Sequence, residues 1–280
     1  MADASLTHGV WLERVPELLE QCVDEWGLEL GETYEQGAAG YTVRASLRDG
    51  TRAVLKLIYP DRESEHEADA LALLHGDGIV NLLDRDDERS AMLLERCEPG
   101  TRLVTAGAET ALDVLVELLP RQWVTAGEPF HTLADEAAWW VDYLPREWEQ
   151  AERPFERRLL DAALDSLRAL APSQGEQVLL HQDLHADNVL AAEREPWLVI
   201  DPKPLVGERE FAVAPIVRDP ELGHSRRDVL HRLDRLCSEL ALDRERARGW
   251  TIGQTIAWSF DTSYAPMHLQ TVRWLLEDAE

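Results

Sequence analysis

The segment His181–Asn188 holds the densest group of reactive side chains in the chain. Its residues follow the pattern H-x-D-x-x-x-x-N, and a second apolar stretch, Trp197–Ile200, leads to a further aspartate. A carboxylate can take the proton from an attacking hydroxyl, and carboxylate and amide oxygens are the ligands that Mg²⁺ prefers. The spacing is that of the catalytic loop and the later metal aspartate of phosphoryl-transfer enzymes. It therefore predicts Asp183 as the catalytic base, His181 as the residue that orients the loop, and Asn188 and Asp201 as the magnesium ligands.

A zinc hydrolase is an alternative interpretation of the same loop. His181, Asp183 and His185 are residue types that ligate zinc, and they lie close together in sequence. That interpretation leaves Asn188, Asp201 and the whole N-terminal third of the chain without a role.

The N-terminal third offers what an ATP-dependent reaction needs. The stretch Ala53–Leu57 alternates as a strand does and places Lys56 on the face opposite its apolar neighbours, where it can bind the nucleotide phosphates. Lysine is scarce in this arginine-rich chain and occurs only at Lys56 and Lys203, which suggests a need for a compact ammonium. Glu67, on the helix that follows, is the predicted ion-pair partner of Lys56.

Two loops complete the predicted nucleotide site. The turn from Gly37 to Gly40 can cover phosphates with its backbone amides. The segment Glu95-Arg96-Cys97 is the predicted hinge, in which the backbone of Glu95 and Cys97 hydrogen-bonds adenine.

The periodicity of the chain changes near the hinge. Before it, short strands dominate, with Asp49-Gly50 marking a hairpin; after it, helices dominate. This is an α+β pattern with two lobes, predicted as a nucleotide-binding lobe over 1–96 and a helical lobe over 97–280 with the catalytic loop and acceptor site. The predicted strands are Tyr41–Leu47, Thr51–Tyr59, Ile79–Leu83, Ala91–Leu94, Gln177–Leu180, Val189–Ala191 and Trp197–Ile200; the predicted helices are Val15–Trp26, Glu63–His75, Glu109–Leu119, Ala134–Trp148, Glu156–Leu170 and three more over Arg227–Leu276.

Composition limits the partners. The net charge of -26 disfavours nucleic acid and suits a cationic small molecule. Three widely spaced cysteines, Cys22, Cys97 and Cys237, predict reduced thiols. We find no apolar run long enough to cross a membrane and no basic-then-apolar start at the N-terminus, so a cytoplasmic protein, monomeric or weakly dimeric, is expected.

The motifs resemble those of the aminoglycoside phosphotransferase superfamily, and most closely its branch of streptomycin 6-phosphotransferases and hydroxyurea-resistance kinases. The resemblance covers most of the chain, and its most specific stretches are His181–His185 with Asn188–Leu190 and Pro196–Lys203 with Val206–Glu208. It implies a bilobal protein-kinase-like fold, ATP and Mg²⁺ as cofactors, and transfer of the γ-phosphate to a hydroxyl. Lys203 then lies near the phosphates or forms a structural ion pair. Gln182 stands where this branch usually has glycine.

The acceptor is less clearly encoded than the reaction. A cationic aminoglycoside or aminocyclitol such as streptomycin needs carboxylates and an aromatic face, and the candidates are Glu208, Glu210, Trp258 and Asp261. An aminosugar or sugar kinase, for example a glucosamine kinase, and a nucleotide-binding pseudokinase are the alternative functions.

Overall fold

The computed structural model describes residues 7–34, 40–260 and 262–278, and these form two compact units. Unit 1 comprises the described residues of Met1–Thr101 together with Leu190–Lys203, and unit 2 comprises those of Arg102–Val189 and Pro204–Glu280. The helices are α1 His8–Trp26, α2 Glu67–Leu74, α3 Ala108–Gln122, α4 Leu133–Gln150, α5 Arg157–Leu170, α6 Ala214–Arg218, α7 Arg226–Glu239, α8 Arg244–Ala257 and α9 Ala265–Glu277. The strands are β1 Glu29–Thr33, β2 Gly40–Ser46, β3 Arg52–Ile58, β4 Leu82–Asp86, β5 Ala91–Glu95, β6 Gln177–His181, β7 Val189–Ala191, β8 Trp197–Val199 and β9 Pro204–Glu208.

Unit 1 is built on an antiparallel sheet in the order β1-β2-β3-β5-β4. The predicted hairpin is present: Ala45 pairs with Ala53, and Gly50 turns the chain with a φ of 86° that suits glycine. β3 lies at the centre of the sheet, so the strand that carries Lys56 is paired on both edges.

α1 covers one face of this sheet. It begins after the N-cap Thr7 and ends at Gly27, which adopts the left-handed conformation typical of a helix C-terminus. Its buried side chains recur at helical spacing and pack in one core cluster with apolar residues of β2, β3 and β5. Because Leu55 and Leu57 belong to this cluster, the side chain of Lys56 emerges on the other face.

Unit 1 differs from the prediction in three elements. β1 was not predicted because all its residues are exposed and show no alternation of apolar and polar side chains. The strand expected over Ile79–Leu83 begins only at Leu82, since Val80 instead donates to the carbonyl of Val199 at 3.0 Å. α2 begins at Glu67 and not at Glu63, because Asp61 accepts the backbone N–H groups of Glu63 and Ser64 in a preceding turn.

Unit 2 is mainly helical, as the sequence predicts, and the tail does form three helices, α7, α8 and α9. α8 packs closely on α5, where Gly253 leaves room for Leu167: a Cβ at this glycine would lie 2.7 Å from Leu167 Cδ2. Two strands, β6 and β9, pair in antiparallel register beside these helices. β9 was not predicted, because Pro204 and Gly207 interrupt its apolar pattern.

The architecture is therefore α+β, with an antiparallel sheet in unit 1 and helices in most of unit 2. None of the helices within the described residues combines the length and the apolar character that a membrane span requires. The three cysteines are buried free thiols.

Candidate active site

The ion pair predicted between Lys56 and Glu67 is present in unit 1. Lys56 Nζ lies 2.7 Å from Glu67 Oε1 and 2.8 Å from Glu67 Oε2, and it also lies 3.0 Å from Asp201 Oδ1. Lys56 and Glu67 are 5% and 3% exposed, so this ammonium and this carboxylate are almost fully withdrawn from water. The structure thus brings together a residue of β3, one of α2 and one of the segment after β8.

The charge of Lys56 depends on these two carboxylates. Burial disfavours the ammonium, but Asp201 and Glu67 outweigh that effect and hold the pKa of Lys56 above its usual value. Lys56 is therefore a permanent cation, and its ammonium is held between the carboxylates of Glu67 and Asp201.

Asp201 differs from Glu67 in its surroundings. Its side chain is 49% exposed, and its backbone lies in the left-handed region with a φ of 54°. A non-glycine residue adopts this conformation at some cost, and such residues cluster at functional sites. The half-exposed carboxylate offers oxygen atoms of the kind that Mg²⁺ prefers.

An arginine fixes the segment that carries Asp201 to the rest of unit 1. Arg194, which precedes β8, donates to both carboxylate oxygens of Glu95 and to the carbonyls of Gly76 and Ile79. Glu95 also accepts from the backbone and side-chain amides of Asn81. The Glu95 side chain is thus fully engaged in contacts within unit 1. The predicted role of this hinge residue in adenine binding therefore depends on its backbone.

The other predicted nucleotide residues lie in unit 1 where they are described. Gly40 opens β2, and a Cβ there would lie 2.5 Å from the carbonyl oxygen of Leu57; Gly37 lies outside the described residues. Cys97 is buried, and burial raises the pKa of its thiol to about 12, so it is no nucleophile. Lys203 Nζ lies 3.1 Å from Glu63 Oε2 and so takes part in an ion pair.

The catalytic loop of unit 2 is fixed by its own side chains. The buried His181 accepts the backbone N–H of Asp183 on Nδ1 at 3.1 Å, which is the orienting contact expected of this histidine. Asn188 Nδ2 donates to the carbonyl of Asp183 at 2.8 Å. The amide oxygen of Asn188 is therefore directed to the opposite side of the amide group, and an amide oxygen is a type of ligand that hard cations bind.

A guanidinium and an imidazole lie near the carboxylate of Asp183. Arg218 Nη2 lies 3.7 Å and His185 Nε2 lies 3.9 Å from Asp183 Oδ1, and the Asp183 side chain is 19% exposed. Asp219, the residue after Arg218, is 5% exposed; burial raises its pKa, while His185 opposes that effect. The zinc interpretation gains no support here. Across the described ranges, His181, Asp183 and His185 form no group of metal-ligating atoms within 4.8 Å of one another.

The two glutamates among the predicted acceptor residues contact other side chains and backbone groups of unit 2. Glu208 is 1% exposed, and its carboxylate accepts from Arg246, from the Trp250 indole and from the backbone of Gly175. It is a buried structural anion, contrary to the expectation that it faces an acceptor. Glu210 accepts the backbone N–H of Asp243 at the start of α8.

Trp258 is the acceptor candidate that lies beside the loop. Its ring centroid is 4.5 Å from the guanidinium carbon of Arg218, which itself contacts Asp183. Asp261 lies outside the described residues. Sequence reasoning did not find Arg218 and Gln254, because a buried charged or amide side chain within a helix has no spacing signature.

The antiparallel sheet of unit 1 and the helices of unit 2 define a fold of the protein-kinase-like class. The solved structures that align with the chain show the same fold. Choline kinase LicA from Streptococcus pneumoniae has a TM-score of 0.68 and 16% identity, covering 94% of this chain and 99% of that one. Aminoglycoside phosphotransferase APH(4)-Ia has a TM-score of 0.67 and 16% identity, covering 95% and 99%.

Sequence comparison identifies the family. The family model of aminoglycoside/hydroxyurea antibiotic resistance kinases matches residues 30–261, and the chain belongs to this family. A streptomycin 6-kinase from Streptomyces griseus is 38% identical over 272 residues, which are 92% of this chain and 88% of that protein. A hydroxyurea phosphotransferase from Kitasatospora aureofaciens is 36% identical over 274 residues, or 96% and 76%.

Proposed function

We propose that this chain is an ATP-dependent kinase that transfers the γ-phosphate to a hydroxyl of an aminoglycoside or aminocyclitol, with streptomycin as the first candidate. The observation that carries the proposal is the similarity to streptomycin 6-kinases along nearly the whole chain. The buried Lys56–Glu67 pair, the half-exposed Asp201 beside it and the ordered loop around Asp183 supply the chemistry that such a transfer requires.

In the proposed reaction, each set of residues has one task. Lys56, kept cationic by Glu67, binds the nucleotide phosphates. Asp183 accepts the proton of the attacking hydroxyl, and His181 and Asn188 hold the loop that presents it. The carboxylate of Asp201 and the amide oxygen of Asn188 would hold Mg²⁺, which, when bound, neutralises charge on the phosphates. Lys203, beside Glu63, adds positive charge near the same segment.

The proposed acceptor is a cation. Streptomycin carries positive groups, and a chain of net charge -26 attracts such a molecule over long distances.

Hydroxyurea is the second candidate acceptor, because a hydroxyurea phosphotransferase is similar over 96% of this chain. Trp258 and Glu210 remain the proposed acceptor contacts, and Asp261 stays a sequence-based candidate.

A phosphorylation assay tests this function. ATP consumption is followed with streptomycin, hydroxyurea and glucosamine, and ³¹P NMR identifies a phosphate ester in the product. Turnover with streptomycin is expected. Glucosamine as the preferred acceptor would make the chain an aminosugar kinase, and nucleotide binding without turnover on any acceptor would make it a pseudokinase.

A single-site variant tests the base. Asp183→Asn should lower kcat by about 10²–10⁴-fold, the usual contribution of a general base. Asp187→Asn is the matched control, since it makes the same chemical change in the same loop and should keep most of the activity. Near-normal turnover by Asp183→Asn would remove this residue from the mechanism.

A further inference from the structure

Arg218, the last residue of α6, is a buried cation beside the catalytic loop. It is 5% exposed, and an unpaired guanidinium so far from water would be very costly. Its contacts within unit 2 explain why it is tolerated. Nη1 donates to Gln254 Oε1 at 3.0 Å, the guanidinium stacks on Trp258, and Nη2 lies 3.7 Å from Asp183 Oδ1.

Gln254 connects this arginine to the backbone of the loop. It is fully buried in α8 and donates from Nε2 to the carbonyl of Gln182 at 2.7 Å. Gln182 directly precedes Asp183, so a single amide group holds both the Arg218 guanidinium and the peptide next to the catalytic carboxylate. α6, α8 and the loop therefore meet at one point, and a shift of Arg218 would be transmitted to Asp183.

We propose that Arg218 is a positioning residue that orients the Asp183 carboxylate for proton abstraction. This inference rests on the proposed function of Asp183 as the base. A base displaced by about 1 Å can lose about 10²-fold in rate. Arg218 therefore contributes to the chemical step without touching the acceptor.

Three variants test whether Arg218 orients Asp183. Arg218→Met should lower kcat by about 10²-fold, with a much smaller change in KM for ATP. Arg218→Lys keeps a cation at this position and should recover part of kcat. Gln254→Ala removes the amide that links Arg218 to the Gln182 carbonyl, so kcat should fall there too, again with little change in KM for ATP. If Arg218→Met does not fold, the other two variants carry the test.

Arg246→Met is the matched control. Arg246 also binds a buried carboxylate, that of Glu208, but it has no contact with Asp183 among its hydrogen bonds in unit 2. It should lose stability and keep the kcat of the folded enzyme. Equal losses of kcat in Arg218→Met and Arg246→Met would overturn the proposal.

A measurement without turnover distinguishes this proposal from the proposed function. Crystal structures of the wild type, Arg218→Met and Arg246→Met are compared without nucleotide or acceptor. The Asp183 carboxylate should move by about 1 Å in Arg218→Met and keep its position in Arg246→Met. If the wild type phosphorylates no acceptor, the proposed function fails while this comparison still decides the role of Arg218; an unchanged carboxylate position in Arg218→Met refutes that role.

Discussion

Removal of one partner from the Lys56–Glu67 pair gives the sharpest test of the site in unit 1. In Glu67→Leu, the buried ammonium loses two contacts of 2.7 and 2.8 Å and keeps only that to Asp201. Breaking a buried ion pair in this way costs about 3–5 kcal/mol. The Asp201 side chain is 49% exposed, so solvent screening limits its compensation to about 1 kcal/mol. The free energy of unfolding should therefore fall by about 3 kcal/mol.

The double variant decides whether the loss reflects the pairing. Lys56→Met should also destabilise, because it leaves the Glu67 carboxylate buried without its cation. Replacing both residues by apolar side chains of similar size removes both charges, and Lys56→Met/Glu67→Leu should lose less than either single variant. Urea unfolding followed by circular dichroism measures all three.

The Lys203–Glu63 pair is the matched control for this cycle. Its side chains are 24% and 40% exposed, so Lys203→Met and Glu63→Leu should each change the free energy of unfolding by about 1 kcal/mol or less. The reasoning would be refuted if the Lys56/Glu67 double variant lost the sum of its single losses, since the two groups would then act independently.

Two further predictions concern the packing of unit 2. Burial lowers the pKa of His268 to about 4, and the unfolded value is about 6.5; the unfolded chain therefore binds the proton first as the pH falls. The contribution of neutral His268 to the free energy of unfolding is complete above about pH 6.5 and is lost as the pH falls from about 6.5 to 4, by at most about 3 kcal/mol. Urea unfolding at pH 7 and 4.5 should therefore show a smaller loss of stability in His268→Asn than in the wild type. Equal losses in the two proteins would exclude this histidine as the source. Gly253→Ala should lower the free energy of unfolding by about 1–3 kcal/mol, because its Cβ would lie 2.7 Å from Leu167 Cδ2. Gly175→Ala is the control and should be nearly neutral, because nothing lies within 4 Å of its Cβ. Thermal unfolding of both variants measures the difference.

The sequence predicted best where chemistry and spacing are local. The β2–β3 hairpin follows from the Asp-Gly turn between two apolar strands, and the contact between His181 and Asp183 spans two residues. The Lys56–Glu67 pair is also close in sequence, since its two residues are eleven positions apart. In each case, the period of the element fixes which side chains can meet.

Prediction failed where the partner is distant in sequence. Glu208 is of the residue type expected to bind a cationic acceptor, but its buried carboxylate pairs with Arg246, some forty positions later. Arg218 and Gln254 are 36 positions apart in sequence, and the apolar periodicity of α6 and α8 does not predict their contact. The exposed strand β1 carried no apolar alternation, so only its pairing with β2 reveals it. The long-range contacts of the charged residues are therefore the part of the site that could not be predicted from the sequence.

The two carboxylates beside Lys56 are not equivalent, and this asymmetry suits phosphoryl transfer. Glu67 is buried and contacts the ammonium with both oxygens, whereas Asp201 is half exposed and contributes one oxygen at the longer distance of 3.0 Å. An incoming cation therefore competes with Lys56 for Asp201 far more easily than for Glu67. In an arginine-rich chain, a lysine at this position supplies a compact ammonium and not the planar fork of donors of a guanidinium. We expect this ammonium to keep its contact with Glu67 while it turns toward phosphate oxygens.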